Sequence, residues 1–321
     1  MSENSKAHHS RTRIIFPFLA SLLLLGVLAG CASPNGVHRV SSQDSFREST
    51  SNPLNEEVTS NSTEIGLSAA LADDGNPITI AQADLVKQAN APISSILQVR
   101  FLDSYEPEFT GMHGQGNAAT LAVTMPLPEQ RLLPVPQLSL LTIPAAITLP
   151  GGLTGFGDLR LLDIAVFSAG QKVLWGVGPT FVFPTASKRQ TGQGKWQAGP
   201  AAAIAFSPEK WLLGVLVQNP VSFTGDQDRV NANAMILQPF VTYQLDNGWF
   251  VRSQPQMIFN WKTGRQVLPL DLGFGRVFRI GRQNVNCFVE PFWNISHDGP
   301  APKYGFTFGV SLLYPNFWQG P

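Results

Sequence analysis

Beyond about residue 92 the chain is written in short extended segments in which every second side chain is apolar. Trp249, Val251, Ser253, Pro255, Met257, Phe259 and Trp261 share one parity, while Arg252, Gln254, Gln256 and Asn260 take the other. The same holds for Val285, Cys287, Val289, Pro291, Trp293 and Ile295 against Asn286, Glu290 and Asn294. It holds again for Tyr304, Phe306, Phe308, Val310, Leu312 and Tyr314 against Gly305, Thr307, Gly309 and Ser311. In 173–183, Trp175, Val177, Phe181 and Phe183 oppose Gly176, Gly178 and Thr180. Period two is the signature of a strand with two unlike faces. A soluble sandwich would put charge on its solvent face, but here the second face is small or polar and nearly uncharged. The first face often begins or ends in an aromatic ring. An apolar band flanked by aromatic girdles, backed by a polar interior, is the pattern of a transmembrane barrel.

Composition agrees. Hydrophobic residues make up 43% of the chain and charged ones 14%, against about 25% charged in ordinary soluble domains. The 22 basic and 22 acidic side chains cancel, so the basic excess a nucleic-acid binder needs is missing. A helical span is ruled out after residue 92, because the most apolar stretch, 132–150, holds Pro134, Pro136, Pro144 and Pro150. In hydrocarbon, strands satisfy their backbone groups only by closing on themselves. The fold class is therefore all-β, an antiparallel transmembrane β-barrel of about twelve strands with a short N-terminal helix.

The expected strands are 95–104, 117–126, 137–147, 157–168, 172–183, 195–206, 211–223, 231–245, 249–261, 266–279, 284–295 and 303–315. Short connections such as Asp246-Asn247-Gly248 and Gly281-Arg282 mostly alternate with longer ones, at 105–116, 148–156, 184–194, 224–230 and 296–302. Short periplasmic turns and long external loops give that rhythm. The connection 127–136 is too long for it and 262–265 too short. An even strand number brings both ends of the barrel to the periplasmic side.

At the N-terminus, Arg11 and Arg13 precede an apolar run over 14–30 that ends Leu28-Ala29-Gly30-Cys31. That is the layout of a lipoprotein-type signal peptide over 1–30, with Cys31 as the lipidated residue; an uncleaved anchor helix is the alternative. Residues 31–80 are rich in Ser, Asn, Thr and Glu and read as a disordered tether. Ala81, Leu85, Val86 and Ala89 recur at helical spacing until Asn90-Ala91-Pro92, giving one short helix over 81–92. It either plugs the periplasmic mouth or lies outside the barrel, which occupies 93–317.

Chemistry, if any, belongs in the lumen. The residues expected to line it are Arg100, Asp158, Arg160, Lys195, Arg252, Asp271, Arg276 and Glu290. Their opposite signs predict mutual pairing, since an unpaired charge at bilayer depth is costly. Pro179, Pro200, Pro239, Pro255 and Pro291 predict bulges or bends, which would aim Gln238, Gln254 and Glu290 inward together. Glycine pairs such as Gly176/Gly178 and Gly273/Gly275 mark bends or close approach to the wall. None completes a nucleotide motif, so no cofactor is expected. Asp226-Gln227-Asp228 reads as a loop turn rather than a metal site. His8, His9, His38, His113 and His297 are scattered, and no H-E-x-x-H or G-x-S-x-G occurs; no catalytic residue is expected.

Several short stretches occur in an order that resembles a known family. They are Leu85-Val86-Lys87-Gln88-Ala89-Asn90-Ala91-Pro92-Ile93, Gly155-Phe156-Gly157-Asp158 and Trp175-Gly176-Val177-Gly178-Pro179. Gly194-Lys195-Trp196-Gln197-Ala198-Gly199-Pro200, Gly225-Asp226-Gln227-Asp228-Arg229, Leu237-Gln238-Pro239-Phe240 and Asp246-Asn247-Gly248-Trp249 follow. Over about 84–317 the chain resembles the bacterial outer-membrane barrels of the phenol-degradation MetA-pathway type. The resemblance implies an outer-membrane location, contact with lipid, and passage of small hydrophobic or aromatic compounds, with no catalytic site. The lipobox and the long tether depart from that family's plain signal peptide. Two functions stay open: a channel for such compounds, or a sealed structural or surface-interaction barrel.

Overall fold

The computed structural model describes residues 78–129, 131–170, 172–315 and 317; the leader, Cys31 and most of the expected tether lie outside them. A helix, α1 (Ile78–Asn90), enters the first strand after a short linker. The strands are β1 (Leu97–Thr110), β2 (Gly116–Leu127), β3 (Gln137–Thr148), β4 (Leu159–Ala169, preceded by Thr154–Gly155), β5 (Val173–Phe183) and β6 (Lys195–Phe206). The second half comprises β7 (Trp211–Gln218 and Val221–Gly225), β8 (Ala234–Gln244), β9 (Trp249–Ser253 and Met257–Asn260), β10 (Gln266–Asp271 and Gly273–Ile280), β11 (Gln283–His297) and β12 (Ala301–Tyr314).

Each strand pairs antiparallel with its neighbours in sequence, and β1 pairs with β12 from Leu97↔Tyr314 to Thr110↔Ala301. Twelve strands thus form one closed barrel. Hairpin chemistry is visible at Asp246-Asn247-Gly248, where Asn247 and Gly248 take φ of 56° and 78°. These are the positive values that the tight turns of twisted hairpins require.

The two faces separate cleanly along β6. Lys195, Gln197, Ala201, Ala203 and Ala205 are buried inside, while Trp196, Pro200, Ala202, Ile204 and Phe206 are exposed outside. Outside, rings pair near the short turns: Phe167 on Trp175 at 4.6 Å, Trp211 on Tyr243 at 4.6 Å and Trp249 on Phe274 at 4.8 Å between centroids. Phe183 meets Trp196 edge-on at 5.5 Å beside the long 184–194 loop. Two aromatic levels bound an apolar belt, as a bilayer demands.

The interior is less polar than the sequence pattern predicts. The helix α1 lies inside the barrel, its Val86 and Ala89 packed on Phe250, Val277, Phe288 and Leu313. Ala91 and Ile93 pack on the opposite wall against Leu138, Leu162, Ile164 and Phe240. A helix held inside needs an apolar bed, so inward positions next to it carry aromatic and aliphatic side chains instead of polar ones. Glycines make room for the rings. A Cβ at Gly275 would stand 2.5 Å from Phe250 Cζ, and one at Gly309 would meet the Phe288 ring. The close approach marked by these glycines is that of a ring, not of the helix.

Three further expectations need correcting. The first strand continues six residues past 104, through a register shift around Pro107, because the bulge absorbs a residue without an N–H. The expected long loop 105–116 shrinks to 111–115. Pro200, Pro239 and Pro291 sit in unbroken register on the outer face. Among the prolines expected to bend the wall, Pro255 is the one at a break, between the two pieces of β9; register shifts lie instead near Pro107, Pro144, Pro269 and Trp196.

The belt yields a prediction. Val177 is 47% exposed on the outer face of β5, about half-way along it. Val177→Arg is expected to weaken folding into lipid vesicles by about 2–4 kcal/mol, read as a urea midpoint shift; Ala203→Ser, facing inward, is expected to move it by far less.

Candidate functional site

The site is built around the end of α1. A helix leaves its last carbonyls without intrahelical partners, and here they point into a barrel rather than into bulk water. The wall supplies the donors. Gln98 Nε2 donates to Gln88 O at 2.7 Å, Arg100 Nη2 to Ala89 O at 3.2 Å and Gln254 Nε2 to Asn90 O at 2.6 Å. The Asn90 side chain turns back to donate from Nδ2 to Val86 O at 2.9 Å. Cationic groups at this end also favour the helix dipole.

Beside it lies a buried ion pair. Arg252 Nε donates to Glu290 Oε2 at 3.0 Å, Nη2 bonds the same oxygen, and Nη1 donates to Asn90 Oδ1 at 3.1 Å. The guanidinium lies 3.5 Å from the centroid of the Phe288 ring. Both side chains are under a tenth exposed, and Gly273 between them carries no side chain to displace either. Asp271 Oδ1 accepts from the Gln254 backbone N–H at 2.8 Å and so fixes the gap 254–256 in β9. Arg100 adds bonds from Nε to Ser311 Oγ at 3.3 Å and from Nη2 to Gln98 Oε1 at 3.0 Å.

Above the helix end is a cavity of about 150 Å³. Arg100, Arg160, Gln218, Gln238, Gln254 and Gln256 line it, together with Thr124, Thr142 and aliphatic side chains. The structure thus brings together Arg100, Arg252, Gln254, Asp271 and Glu290 around the helix end, with Arg160 and Gln238 on the cavity wall.

Three of the expected lumen residues lie away from the helix end. Lys195 is buried inside, but at the 184–194 end of β6. Asp158 precedes β4, and its carboxylate accepts from the backbone N–H groups of Ala186 at 3.1 Å and Gln193 at 2.6 Å, organising an external loop. Arg276 faces outward: its guanidinium lies 5.2 Å from the Trp249 ring centroid and Nε donates to Asn247 O at 3.1 Å. A cation is tolerated there because the girdle depth gives it a ring face and a carbonyl. The general expectation of charge pairing also narrows, since among the lumen residues named from sequence Arg252–Glu290 is the one pair within salt-bridge distance.

Asn90, Gln98 and Phe288 were not anticipated as parts of the site. Gln98 shares the parity of Arg100, and Asn90 marks the helix stop before Pro92, so both signals were present. In the external loop, Asp226 Oδ1 accepts from the Asp228 N–H at 3.0 Å, and Oδ2 lies 3.7–3.8 Å from Arg189 and Arg229. Its carboxylate is engaged within the loop.

No protein-family model matches the chain, and no curated protein does. Solved structures do. An outer-membrane channel from Pseudomonas putida F1 is 13% identical, covering 70% of this chain and 97% of its own, with a TM-score of 0.51. The NanC porin matches at 10% identity, 68% and 98% coverage and a TM-score of 0.43. Outer membrane phospholipase A from Escherichia coli matches at 11% identity, 73% and 97% coverage and a TM-score of 0.37. The first of these shares the barrel fold of this chain, in agreement with the apolar belt.

Removing one member of a buried pair strands the other charge. Glu290→Ala is expected to destabilise the barrel by about 3–5 kcal/mol in urea titrations, while the double replacement Arg252→Met with Glu290→Leu costs much less. Equal losses in both would show that the pair acts through something other than its charges.

Proposed function

We propose that the chain is an outer-membrane channel through which small hydrophobic or aromatic solutes pass, with α1 as a plug on the periplasmic side. The observation that carries the reading is the cavity over the helix end, whose walls alternate aliphatic side chains with amides and hydroxyls. A solute with an apolar body finds an apolar surface there, and its polar group finds partners. The resemblance to MetA-pathway barrels points to the same solute class. Delivery by a lipoprotein-type leader with Cys31 as acceptor belongs to the same proposal.

A second reading has its own support. The helix and the Arg252–Glu290 pair fill the lower lumen, as they would in a barrel sealed for structural or surface-interaction use. Passage on the first reading requires α1 to loosen, and the bonds from Gln98, Arg100 and Gln254 to its carbonyls are what must open.

Flux through liposomes separates the two. In a chain with Cys31→Ser and Cys287→Ser, Asn90→Cys and Gln254→Cys can be bridged by a short bifunctional reagent. Uptake of a neutral aromatic solute is expected in the unbridged protein and is expected to fall at least tenfold on bridging. No uptake before bridging, and none in a form lacking residues 78–91, would favour the sealed barrel.

A further inference from the structure

We infer that the cavity over α1 is a binding site for a single-ring aromatic carboxylate, with Arg160 as the principal anion-binding group and Arg100 as its second. The inference rests on the channel reading and gives its solute a charge.

The charge balance of the lining comes first. Two guanidinium groups reach the cavity, and none of its lining residues is an aspartate or glutamate. Four glutamine side chains and two threonine hydroxyls add neutral donors, so the site presents hydrogen-bond donors around two fixed positive charges. A neutral phenol-like solute needs no such charge. A carboxylate does, because leaving the bulk solvent is costly for an anion unless charged or polar donors replace the lost water.

The two arginines are not equivalent. Arg100 is committed to Ala89 O, Gln98 Oε1 and Ser311 Oγ. Arg160 makes no hydrogen bond or ion pair with any other described residue, yet it stands on the inner face of β4 opposite Thr142 and Val182. Solvent reaches it. The carboxylate nearest along the chain, Asp158, is occupied by the backbone N–H groups of Ala186 and Gln193. Of the two acidic groups near the helix end, Glu290 is bonded to Arg252 and Asp271 accepts from the Gln254 N–H. A guanidinium on the inner face of the barrel, open to solvent, with Asp158 acting on it only through space and no carboxylate of the described residues in salt-bridge contact, is a fork free to take a planar oxyanion.

The rest of the lining sets the body of the ligand. Leu102, Leu140, Leu162, Leu216 and Ile236 supply the apolar wall. A volume of about 150 Å³ suits one benzene-sized ring, since an apolar cavity of about that size takes up benzene. Benzoate is the simplest molecule with both features, and benzyl alcohol is its neutral counterpart of nearly the same shape.

The test is direct binding to the full chain in detergent micelles, by calorimetry or ligand-detected NMR, with benzoate and benzyl alcohol as probes. Benzoate is expected to bind at least tenfold more tightly. Arg160→Gln is expected to bring that ratio near one, and Arg160→Lys to keep part of it; heat-modified electrophoretic mobility shows whether each variant has folded. Should Arg160→Gln fail to fold, chloride competition on the wild-type chain decides, because added chloride should weaken benzoate and spare benzyl alcohol. Equal affinity for the two probes, no benzoate binding, or benzoate binding indifferent to both Arg160→Gln and chloride would overturn the site. Benzoate preference without flux in any form of the protein would sink the channel and leave the site standing. Flux without preference would do the reverse.

Discussion

An unpaired backbone N–H or C=O in hydrocarbon costs several kcal/mol, and a sheet in lipid therefore cannot have an edge. The pairing of β1 with β12 removes both edges at once, and most other features answer to that closure. Twelve strands enclose an interior wider than side chains alone fill, and narrower than the aqueous lumen of a barrel with about 16–18 strands. The surplus space is taken up at one level by α1 and above it remains as the cavity.

Placing a helix inside a barrel solves a packing problem and creates a polar one. Its apolar side meets Phe250, Val277, Phe288 and Leu313, which is an ordinary core contact. Its C-terminal carbonyls face the wall with little water to satisfy them. Gln98, Arg100 and Gln254 each come from an inward position of β1 or the β9 gap, and each donates to a different carbonyl. The Arg252–Glu290 pair joins this arrangement through Asn90 Oδ1. A buried pair adds little net stability after desolvation. What it adds is a bond from the wall to the helix end, from Arg252 Nη1 to Asn90 Oδ1.

Much of the barrel was legible in the sequence because its two faces meet two different solvents. Strand number and most boundaries follow from period two and turn residues, and the aromatic girdle can be read from Trp175, Trp211 and Trp249. Legibility fails where one face answers to something other than lipid or water. Phe250 and Phe288 are inward-facing aromatics whose reason is α1, a partner that period two does not reveal. The extension of β1 past Pro107 depends on a bulge at that proline, and the same residue reads equally well as the end of a strand. Arg276 is instructive: it shares the parity of Phe274 and Phe278, which places it outside, although it stands among the charges expected in the lumen. Parity was the better guide, since backbone geometry has no exception along an unbroken strand while the cost of charge falls steeply towards the interface.

The persistence of a cavity follows from the same geometry. In a helical core, a void of this size shrinks as neighbouring elements shift, and the cost of truncation depends on that collapse. A barrel has no such freedom, because its circumference is set by twelve paired strands and every inward shift of one strand would break ladders on both sides. The lining then decides what occupies the space. Aliphatic walls alone would leave it dry, but Arg100, Gln218 and Gln254, which bond to the chain, are joined in the lining by Arg160, Gln238, Gln256, Thr124 and Thr142, which take partners from water or a ligand. The polar groups are drawn from β1, β2, β3, β4, β7, β8 and β9, so no single local need of the chain explains them.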